Sequence, residues 1–360
     1  MKILYVNNTM NIGGIESFLM NILRNIDRKK YEIVFLTYNN ETFDYEKEIE
    51  KLGSRILRIS NPNKVSNLEH VKQLYKVIKE ESPDVVHCHT HFNSGYVMLA
   101  ASLAKIKIRI CHSHSTYALL EKSITKKCKW MISKTMMKLF ATDFIACSHE
   151  AGVALYGKND FKKVTNGINM KDYQYDEKIR KEYRKTLHIK QTATVIGHVG
   201  RLDYPKNHAF LIKIYKEYLK KNPNSVLVLV GDGPLSQKIE EDIKKNHLQD
   251  HIKMLGSRND VNKLLNVFDF LVFPSIYEGL PLSLVEVQAN GIPCLISDSI
   301  SKEIKLTECI EFLSLKKSAK VWATKLEKQS KKRIDTYEQM QNSEYSIKNT
   351  INELLKIYNR

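Results

Sequence analysis

The chain has 360 residues, of which 42% are hydrophobic, enough for two domains that each have a core. No apolar run approaches the roughly 18 residues that a membrane span needs, and the first residues lead straight into a strand, so we predict neither a spanning segment nor export. The formal net charge of +17 favours an anionic partner such as a nucleotide or a lipid head group.

The first predicted strand, residues 2–7, is followed by a glycine pair. Gly13 and Gly14 lie at the mouth of a helix whose apolar residues recur at helical spacing. Such a pair lets a phosphate or a sugar approach the main chain, and a plain tight turn explains it equally well. The motif is not GxGxxG and no acidic residue ends the next strand, residues 33–37, so nicotinamide binding is not indicated.

Strand and helix patterns then alternate, which predicts an open, doubly wound parallel sheet with its ligand site at the carboxyl ends of the strands. Two histidine groups follow strands there, and they comprise His87, His89, His91, His112 and His114. Zinc is conceivable, but we expect alternating residues to splay to opposite sides, and no acidic ligand is evident, so we predict no metal. The preferred interpretation is that His114 donates a hydrogen bond to a sugar or phosphate, with His112 as the alternative.

A basic helix is predicted at about 124–140, within a stretch, 101–138, that holds nine Lys or Arg residues and one acidic residue. Its predicted core stripe is Ile124, Cys128, Met131, Thr135 and Leu139. Another side is predicted to face an anionic membrane, and it carries Lys126, Lys127, Trp130, Lys134 and Met137. The alternative is a helix that covers the sheet while its lysines extend to water.

A second alternating set begins at residue 194, after a polar run, 171–178, that resembles a linker. We therefore predict two similar domains, 1–170 and 171–335, facing a cleft of the kind that binds ligands. Basic, amphipathic helices are predicted at 317–331 and 338–358. The segment 336–360 would cross back to the first domain or act as a cap.

The first strand of the second domain is followed by two cations, Arg201 and Lys206. Permanent cations at this position suit a diphosphate, and they would stabilise the charge on a departing nucleoside diphosphate without a metal. The absence of an Asp-x-Asp motif agrees with this, and the alternative is an ordinary surface loop. Ser257 and Arg258 follow another strand and are predicted to line the nucleotide base.

The stretch 269–297 predicts a strand–helix–strand unit with two glutamates. Glu278 precedes the helix and Glu286 lies inside it. The two are too far apart to share one proton, so we interpret them as binding separate parts of one long ligand. The residues between them offer main-chain groups to an anion or a sugar hydroxyl at a helix N-terminus, and they are Gly279, Leu280, Pro281 and Leu282. Two solvated glutamates on an amphipathic helix are the alternative.

Two compositional features limit the function further. The six cysteines show no CxxC spacing and lie mostly in apolar runs, as expected for core residues in a reducing cytoplasm. The basic stretch lacks interleaved aromatic residues, which argues against nucleic-acid binding.

Together these motifs resemble the retaining family 4 glycosyltransferases, whose two Rossmann-like domains make the GT-B fold. The resemblance covers residues 1 to about 297, and the sequences of its motifs are most similar to those of bacterial exopolysaccharide and capsule enzymes. It is carried by Gly13-Gly14, His114, Arg201 with Lys206, Gly256-Ser257-Arg258, and Glu278 with Glu286.

The resemblance implies a UDP-sugar donor, a lipid-linked glycan acceptor and no cofactor. Arg201 and Lys206 would hold the diphosphate, Glu286 the ribose, and Glu278 with residues 279–282 the sugar hydroxyls. Gly14 would contact the phosphate and His114 the sugar. Family members often carry Gly after the phosphate-binding lysine, where this chain has Asn207.

The resemblance also implies that the protein acts at the cytoplasmic face of the cell membrane, with other polysaccharide-synthesis enzymes as further partners. Two alternatives stay open. A non-hydrolysing UDP-sugar epimerase has the same fold and needs no acceptor, and a non-catalytic sugar- or lipid-binding scaffold would bind without turnover.

Overall fold

The computed structural model describes residues 1–38, 41–115, 124–278 and 280–360, except the side chains of 124–128. The chain divides into two compact units. The N-terminal unit comprises Met1–Ile168 and Ile347–Arg360, and the C-terminal unit comprises Asn169–Ser346.

A parallel sheet forms the centre of the N-terminal unit. Its order in the described residues is β3-β2-β1-β4-β5-β6-β7, with strands β1 (Lys2–Val6), β2 (Glu32–Thr37), β3 (Arg55–Arg58), β4 (Val85–Cys88), β5 (Ile108–Ser113), β6 (Asp143–Ala146) and β7 (Lys162–Lys163). The helices around it are α1 (Gly14–Asn25), α2 (Glu46–Lys51), α3 (Asn67–Glu81), α4 (Ser94–Leu103), α5 (Ile124–Phe140) and α6 (His149–Tyr156).

Alternate residues of each strand enter different cores, because successive side chains point to opposite faces of a sheet. In β1, Ile3 and Tyr5 lie in the core that includes Phe18 of α1, whereas Leu4 and Val6 lie in the core on the other face. Both faces are therefore covered, as parallel sheets require.

The C-terminal unit repeats this plan. Its sheet order is β10-β9-β8-β11-β12-β13, with β8 (Thr194–Val199), β9 (Ser225–Val230), β10 (Ile252–Met254), β11 (Phe270–Phe273), β12 (Cys294–Ser297) and β13 (Ile310–Leu313). Its helices are α7 (Glu177–Thr186), α8 (His208–Leu219), α9 (Ser236–Lys245), α10 (Val261–Leu264), α11 (Leu282–Ala289), α12 (Ala319–Lys328) and α13 (Tyr337–Gln341). The expected pair of doubly wound parallel sheets is confirmed.

The chain ends in α14 (Ile347–Tyr358), which packs against α1 in the N-terminal unit. The sequence predicted one helix over 338–358, and the structure instead has α13 and α14 separated by a turn. The N–H of Ser346 bonds the carbonyl of Ser343 in this turn, and the N–H of Ile347 bonds the carbonyl of Ile168. None of the described helices has the length and apolar character that crossing a bilayer requires.

Helix α7 begins inside the predicted linker, 171–178, and its sequence is too polar to reveal a buried face. That face is polar but paired: Arg184 has no exposed surface and its guanidinium bonds Asp269 at 2.9 Å. Arg180 bonds the other carboxylate oxygen of Asp269 at 2.6 Å. Charged side chains are buried here because they neutralise one another and donate to main-chain carbonyls.

Candidate functional site

The carboxyl end of β8 presents the two predicted cations of the C-terminal unit. Gly200 follows β8, and a Cβ there would lie 3.0 Å from Cε of Lys206, so the missing side chain leaves room for the lysine stem. Lys206 ends a 3-10 turn, Tyr204–Lys206, immediately before α8. Arg201 is exposed, and among the described residues we find no ion-pair partner for it. Its charge is therefore available to a ligand.

Lys206 and Glu278 are paired with each other. The ammonium nitrogen of Lys206 lies 2.7 Å from Oε1 of Glu278, and both side chains are largely buried. The ammonium group also lies 4.6 Å from the ring centroid of Phe273, at the end of β11. The two residues predicted to hold the diphosphate and the sugar hydroxyls are thus brought together at one sheet edge.

Two further hydrogen bonds connect the loops that carry this pair. The N–H of Ile276 donates to the carbonyl of Pro205 at 2.8 Å, and the side-chain amide of Asn207 donates to the carbonyl of Pro274 at 3.1 Å. Asn207 has φ +57° and ψ +44°, the left-handed conformation that Gly and Asn adopt most readily. Asn therefore fits the backbone where family members often carry Gly, and its side chain adds a link between the loops.

Two neutral histidines lie beneath Lys206. Nδ1 of His198 bonds the carbonyl of Val272 at 2.9 Å, its ring stacks on Phe273, and the ring of His208 meets it edge on. Burial, with the nearby Lys206 charge, lowers the pKa of His208 to about 4. The positive charge at this edge therefore belongs to Arg201 and Lys206.

Glu286 lies on α11 and is partly buried. Burial raises the pKa of its carboxyl group to about 7, against an opposing hydrogen bond of 2.9 Å from the hydroxyl of Tyr173. Tyr173 precedes α7 in the segment predicted as a linker, and its carbonyl accepts from the side-chain amide of Asn290. The sequence analysis missed Tyr173, whose one signal was an aromatic residue within a polar run.

The remaining residues predicted to contact the sugar donor differ in their burial and in their partners. Leu280, Pro281 and Leu282 are half-buried at the start of α11, where Pro281 is the N-cap, and Gly279 lies outside the described residues. Ser257 is exposed after β10. Arg258 is paired with Asp260 at 2.7 Å, and this hydrogen-bonded pairing raises the pKa of the arginine.

Gly13 and Gly14 form the N-terminus of α1 in the other unit. Gly13 is the extended N-cap, and its main-chain carbonyl accepts from the N–H of Ser17 at 2.8 Å. A Cβ at Gly14 would meet no atom within 4 Å, so the space over the first turn is open. The predicted contact between Gly14 and a phosphate stays a prediction.

The histidines at the carboxyl ends of β4 and β5 lie together, so the expectation that they splay apart was wrong. Residues two apart on a strand share a face, and His87, His89, His112 and His114 consequently form one group, here called the histidine quartet. Burial lowers the pKa of His114 to about 3, so this ring is neutral. His112 and His114 stack on each other, and the structure does not select either as the sugar contact.

The predicted membrane face of α5 is also wrong, because the helix is turned the other way. Met137 is 1% exposed, Trp130 and Lys134 are half-buried, and the side chains of Lys126 and Lys127 lie outside the described residues. The exposed face instead holds most of the predicted core stripe, and it comprises Met131, Ile132, Thr135, Lys138 and Leu139.

Helix α5 turns this way because of a close contact with α4. Ser133 is fully buried, its hydroxyl accepts from the N–H of Gly95 at 3.0 Å, and a Cβ at Gly95 would overlap the main chain of Ser133. A count of apolar residues cannot predict a contact between small residues, so the sequence pattern selected the wrong side.

Family models match both halves of the chain. A model described as "Glycosyltransferase Family 4" matches residues 12–170, and a model described as "Glycosyl transferases group 1" matches residues 179–346.

Three similar proteins carry glycosyltransferase names. EpsF of Bacillus subtilis is 33% identical over 99% of this chain and 96% of its own. The capsular polysaccharide biosynthesis glycosyltransferase CapH of Staphylococcus aureus is 25% identical over 99% and 98%. The Escherichia coli UDP-Gal:alpha-D-GlcNAc-diphosphoundecaprenol alpha-1,3-galactosyltransferase is 28% identical over 66% and 64%.

Among solved structures, Anabaena HepE in complex with UDP and glucose superposes with a TM-score of 0.80. Its sequence is 18% identical, and the alignment covers 99% of this chain and 98% of HepE. At this identity the likeness concerns the fold alone, and it agrees with the two parallel-sheet units described above.

Proposed function

The chain belongs to the family 4 glycosyltransferases with the GT-B fold, of the exopolysaccharide and capsule type, and we propose that it transfers a sugar from a UDP-sugar to a lipid-linked saccharide. The observation that carries the donor proposal is the Lys206–Glu278 pair at the carboxyl ends of β8 and β11, with the exposed cation Arg201 on the same loop as Lys206. The names of HepE, bound to UDP and glucose, and of the E. coli enzyme, acting on a diphosphoundecaprenol-linked sugar, support the donor and the acceptor.

We propose a transfer that retains the anomeric configuration. The acceptor hydroxyl oxygen forms a bond to the anomeric carbon while the bond from that carbon to the β-phosphate oxygen breaks. The hydroxyl proton passes to the leaving phosphate oxygen, so the products are the glycosylated acceptor and UDP. Arg201 and Lys206 stabilise the charge that builds on the diphosphate, without Mg²⁺ or Mn²⁺ between the phosphates. Glu278 and Glu286 accept hydrogen bonds from donor hydroxyls.

The decisive experiment combines Arg201→Ala with Lys206→Met, which keeps the length of the lysine stem. Wild type should release UDP from one member of a UDP-sugar panel in the presence of lipid-linked saccharides extracted from membranes, with Mg²⁺ and Mn²⁺ omitted. The double variant should lose transfer while its circular dichroism stays unchanged. Lys238→Ala, an exposed lysine on α9, is the matched control and should retain activity. Full activity of the double variant would overturn the assignment of the diphosphate site.

The same incubation separates the alternatives. Proton NMR of the purified product reports whether the new linkage keeps the donor's α configuration, and inversion would refute the retaining mechanism. A second UDP-sugar formed without an acceptor would identify an epimerase. Donor binding with no turnover across the full panel would favour the scaffold.

We propose that the protein works on the cytoplasmic face of the membrane through the exposed face of α5. Met131, Ile132 and Leu139 are 63%, 52% and 68% exposed, and exposed lysines, Lys129 and Lys138, accompany them. An apolar helix face flanked by cations is what an anionic bilayer surface binds. This face replaces the one predicted from the sequence.

A further inference from the structure

The histidine quartet is a buried cluster of polar side chains, and the proposed transfer reaction does not require all four of them. Nε2 of His87 lies 3.2 Å from Nδ1 of His112, and Nδ1 of His89 lies 2.9 Å from Nε2 of His114. His87, His89 and His112 have at most 1% of their surface exposed. One ring nitrogen from each of these three lies within 4.8 Å of the other two.

Nε2 of His89 is a buried ring nitrogen of the quartet that has no hydrogen-bond partner among the described atoms. A buried polar atom without a partner destabilises the fold, so such an atom in a native protein calls for an occupant that the protein chain does not supply. A metal ion would fill that role, because a neutral ring nitrogen donates a lone pair to it.

The surrounding contacts prepare two of the rings as ligands. The hydroxyl of Tyr358, on α14, lies 2.7 Å from Nδ1 of His87, and it also bonds the hydroxyl of Tyr5 at 3.0 Å. Nδ1 of His89 is held by His114, so Nε2 is the nitrogen left over. A histidine that binds a metal through one nitrogen commonly has its other nitrogen fixed in this way by a neighbouring group.

We propose that His87, His89 and His112 form a binding site for a divalent transition-metal ion, with Zn²⁺ as the ion that the ligand set favours. Two nitrogens bound tetrahedrally at about 2.0–2.1 Å from Zn²⁺ are roughly 3.3 Å apart. Nε2 of His87 and Nδ1 of His112 share a hydrogen bond of 3.2 Å, close to this spacing, and Zn²⁺ would replace the proton between them. Imidazole nitrogen suits Zn²⁺, whereas Mg²⁺ and Ca²⁺ require oxygen ligands.

The ion would act on the architecture of the N-terminal unit. It would join β4, which carries His87, to β5, which carries His112, and through Tyr358 it would fix the end of α14. The diphosphate cations Arg201 and Lys206 belong to the C-terminal unit, so this inference goes beyond the proposed function. It also differs from the sequence-based expectation of no metal, which rested on the histidines splaying apart and on the lack of an acidic ligand.

The test measures the metal itself and does not use enzyme activity. The tag-free full chain is dialysed against chelator and then titrated with Zn²⁺, with Co²⁺ as a spectroscopic probe and Mg²⁺ as a negative control. We expect one tightly bound Zn²⁺ per chain, the intense visible absorption of tetrahedral Co²⁺, and no response to Mg²⁺. No stoichiometric binding, or a weak octahedral Co²⁺ spectrum, would overturn the proposal.

Variants locate the ion. His89→Gln should lower Zn²⁺ affinity at least ten-fold, and Tyr358→Phe should lower it about ten- to hundred-fold by releasing the His87 ring. His70→Gln removes a buried histidine elsewhere in the same unit, and His188→Gln removes an exposed one, so neither should change the affinity. Unchanged affinity in His89→Gln, or loss only in His188→Gln, would contradict the site.

If a variant does not fold, X-ray absorption at the Zn edge of the Zn²⁺-loaded wild-type protein identifies the ligands of the ion. We expect three imidazole ligands at about 2.0–2.1 Å. A shell of mainly oxygen ligands would overturn the proposal.

Discussion

The side-chain amide of Asn207 donates a hydrogen bond of 3.1 Å to the main-chain carbonyl of Pro274, and it thereby links the loop of Lys206 to the loop of Glu278. The backbone of Asn207 adopts the left-handed conformation, with φ +57°. The residue therefore meets a backbone requirement, and its side chain makes a contact across the site. The family resemblance draws attention to this position because Gly often occupies it, and Gly can meet only the first requirement.

We predict that Asn207→Gly separates these two roles. Gly adopts the left-handed conformation without strain, which offsets the lost hydrogen bond, so the melting temperature should change little. The loop connection is worth about 1 kcal/mol, and its loss should lower kcat/KM for the donor roughly five-fold. Asn207→Ala loses both roles and should also be less stable, by about 1–2 kcal/mol. Steady-state kinetics and thermal unfolding measure both effects, and wild-type kinetics in Asn207→Gly would show that the link is dispensable.

The affinity for the donor should depend on pH through Glu286. Its carboxyl has a pKa of about 7 because it is buried, so near neutrality it is partly protonated. Only the ionised form accepts hydrogen bonds with both oxygens, so donor affinity should rise as the pH increases from 6 to 8. Isothermal titration with an intact UDP-sugar tests this, since its diphosphate does not titrate in that range. A flat profile would rule out the assigned role of Glu286.

Tyr173→Phe should move that profile in a known direction. The Tyr173 hydroxyl bonds Glu286 and lowers its pKa, so removing the hydroxyl should raise the pKa further and shift the midpoint of donor affinity to higher pH. Glu286→Gln is the matched control and should bind weakly with no midpoint. A downward shift in Tyr173→Phe would mean that another group titrates.

The sequence predicted the sheets well because buried parallel strands are short continuous apolar runs bounded by turn residues, and β8 and β11 are clear examples. The family resemblance assigned Lys206 and Glu278 to the same donor, and the structure brings the two side chains together because they follow β8 and β11, which lie side by side in the sheet. Their direct ion pair could not be predicted, since it depends on the bend of each loop and on Asn207.

The sequence was less informative where polar residues are buried. Helix α7 packs through Arg184 and Asp269, a pairing that no apolar periodicity reveals. The side of α5 that faces α4 is set by Ser133 against Gly95, two small residues of low hydrophobicity. The histidines were misplaced for a simpler reason, because residues two apart on a strand share a face.

A further prediction concerns Gly14, where an added methyl group would enter open space. Gly14→Ala should not destabilise the protein, since Ala favours a helix over Gly by up to about 1 kcal/mol. If a phosphate approaches the first turn of α1, the methyl group should nevertheless weaken donor binding at least five-fold. Gly95→Ala is the reciprocal control: its Cβ would overlap Ser133, so it should destabilise the fold by about 1–3 kcal/mol. Unchanged donor binding in Gly14→Ala would leave the glycine pair as a plain turn.

The exposed face of α5 should bind anionic vesicles. We predict that replacing Met131, Ile132 and Leu139 together with Ser weakens binding to vesicles that contain phosphatidylglycerol by roughly a hundred-fold, since each partly inserted side chain contributes about 1 kcal/mol. The wild type should also bind zwitterionic vesicles more weakly than anionic ones, because Lys129 and Lys138 each lose about 1 kcal/mol of attraction to the anionic surface.

Leu68→Ser is the matched control for this vesicle experiment, because Leu68 is 67% exposed and lies on α3, away from the α5 face. It should sediment with vesicles as the wild type does. Vesicle binding that is unaltered in the triple variant would exclude the α5 face as the membrane contact. A change in oligomeric state by light scattering, without any change in vesicle binding, would instead identify the face as a contact between two copies of the chain.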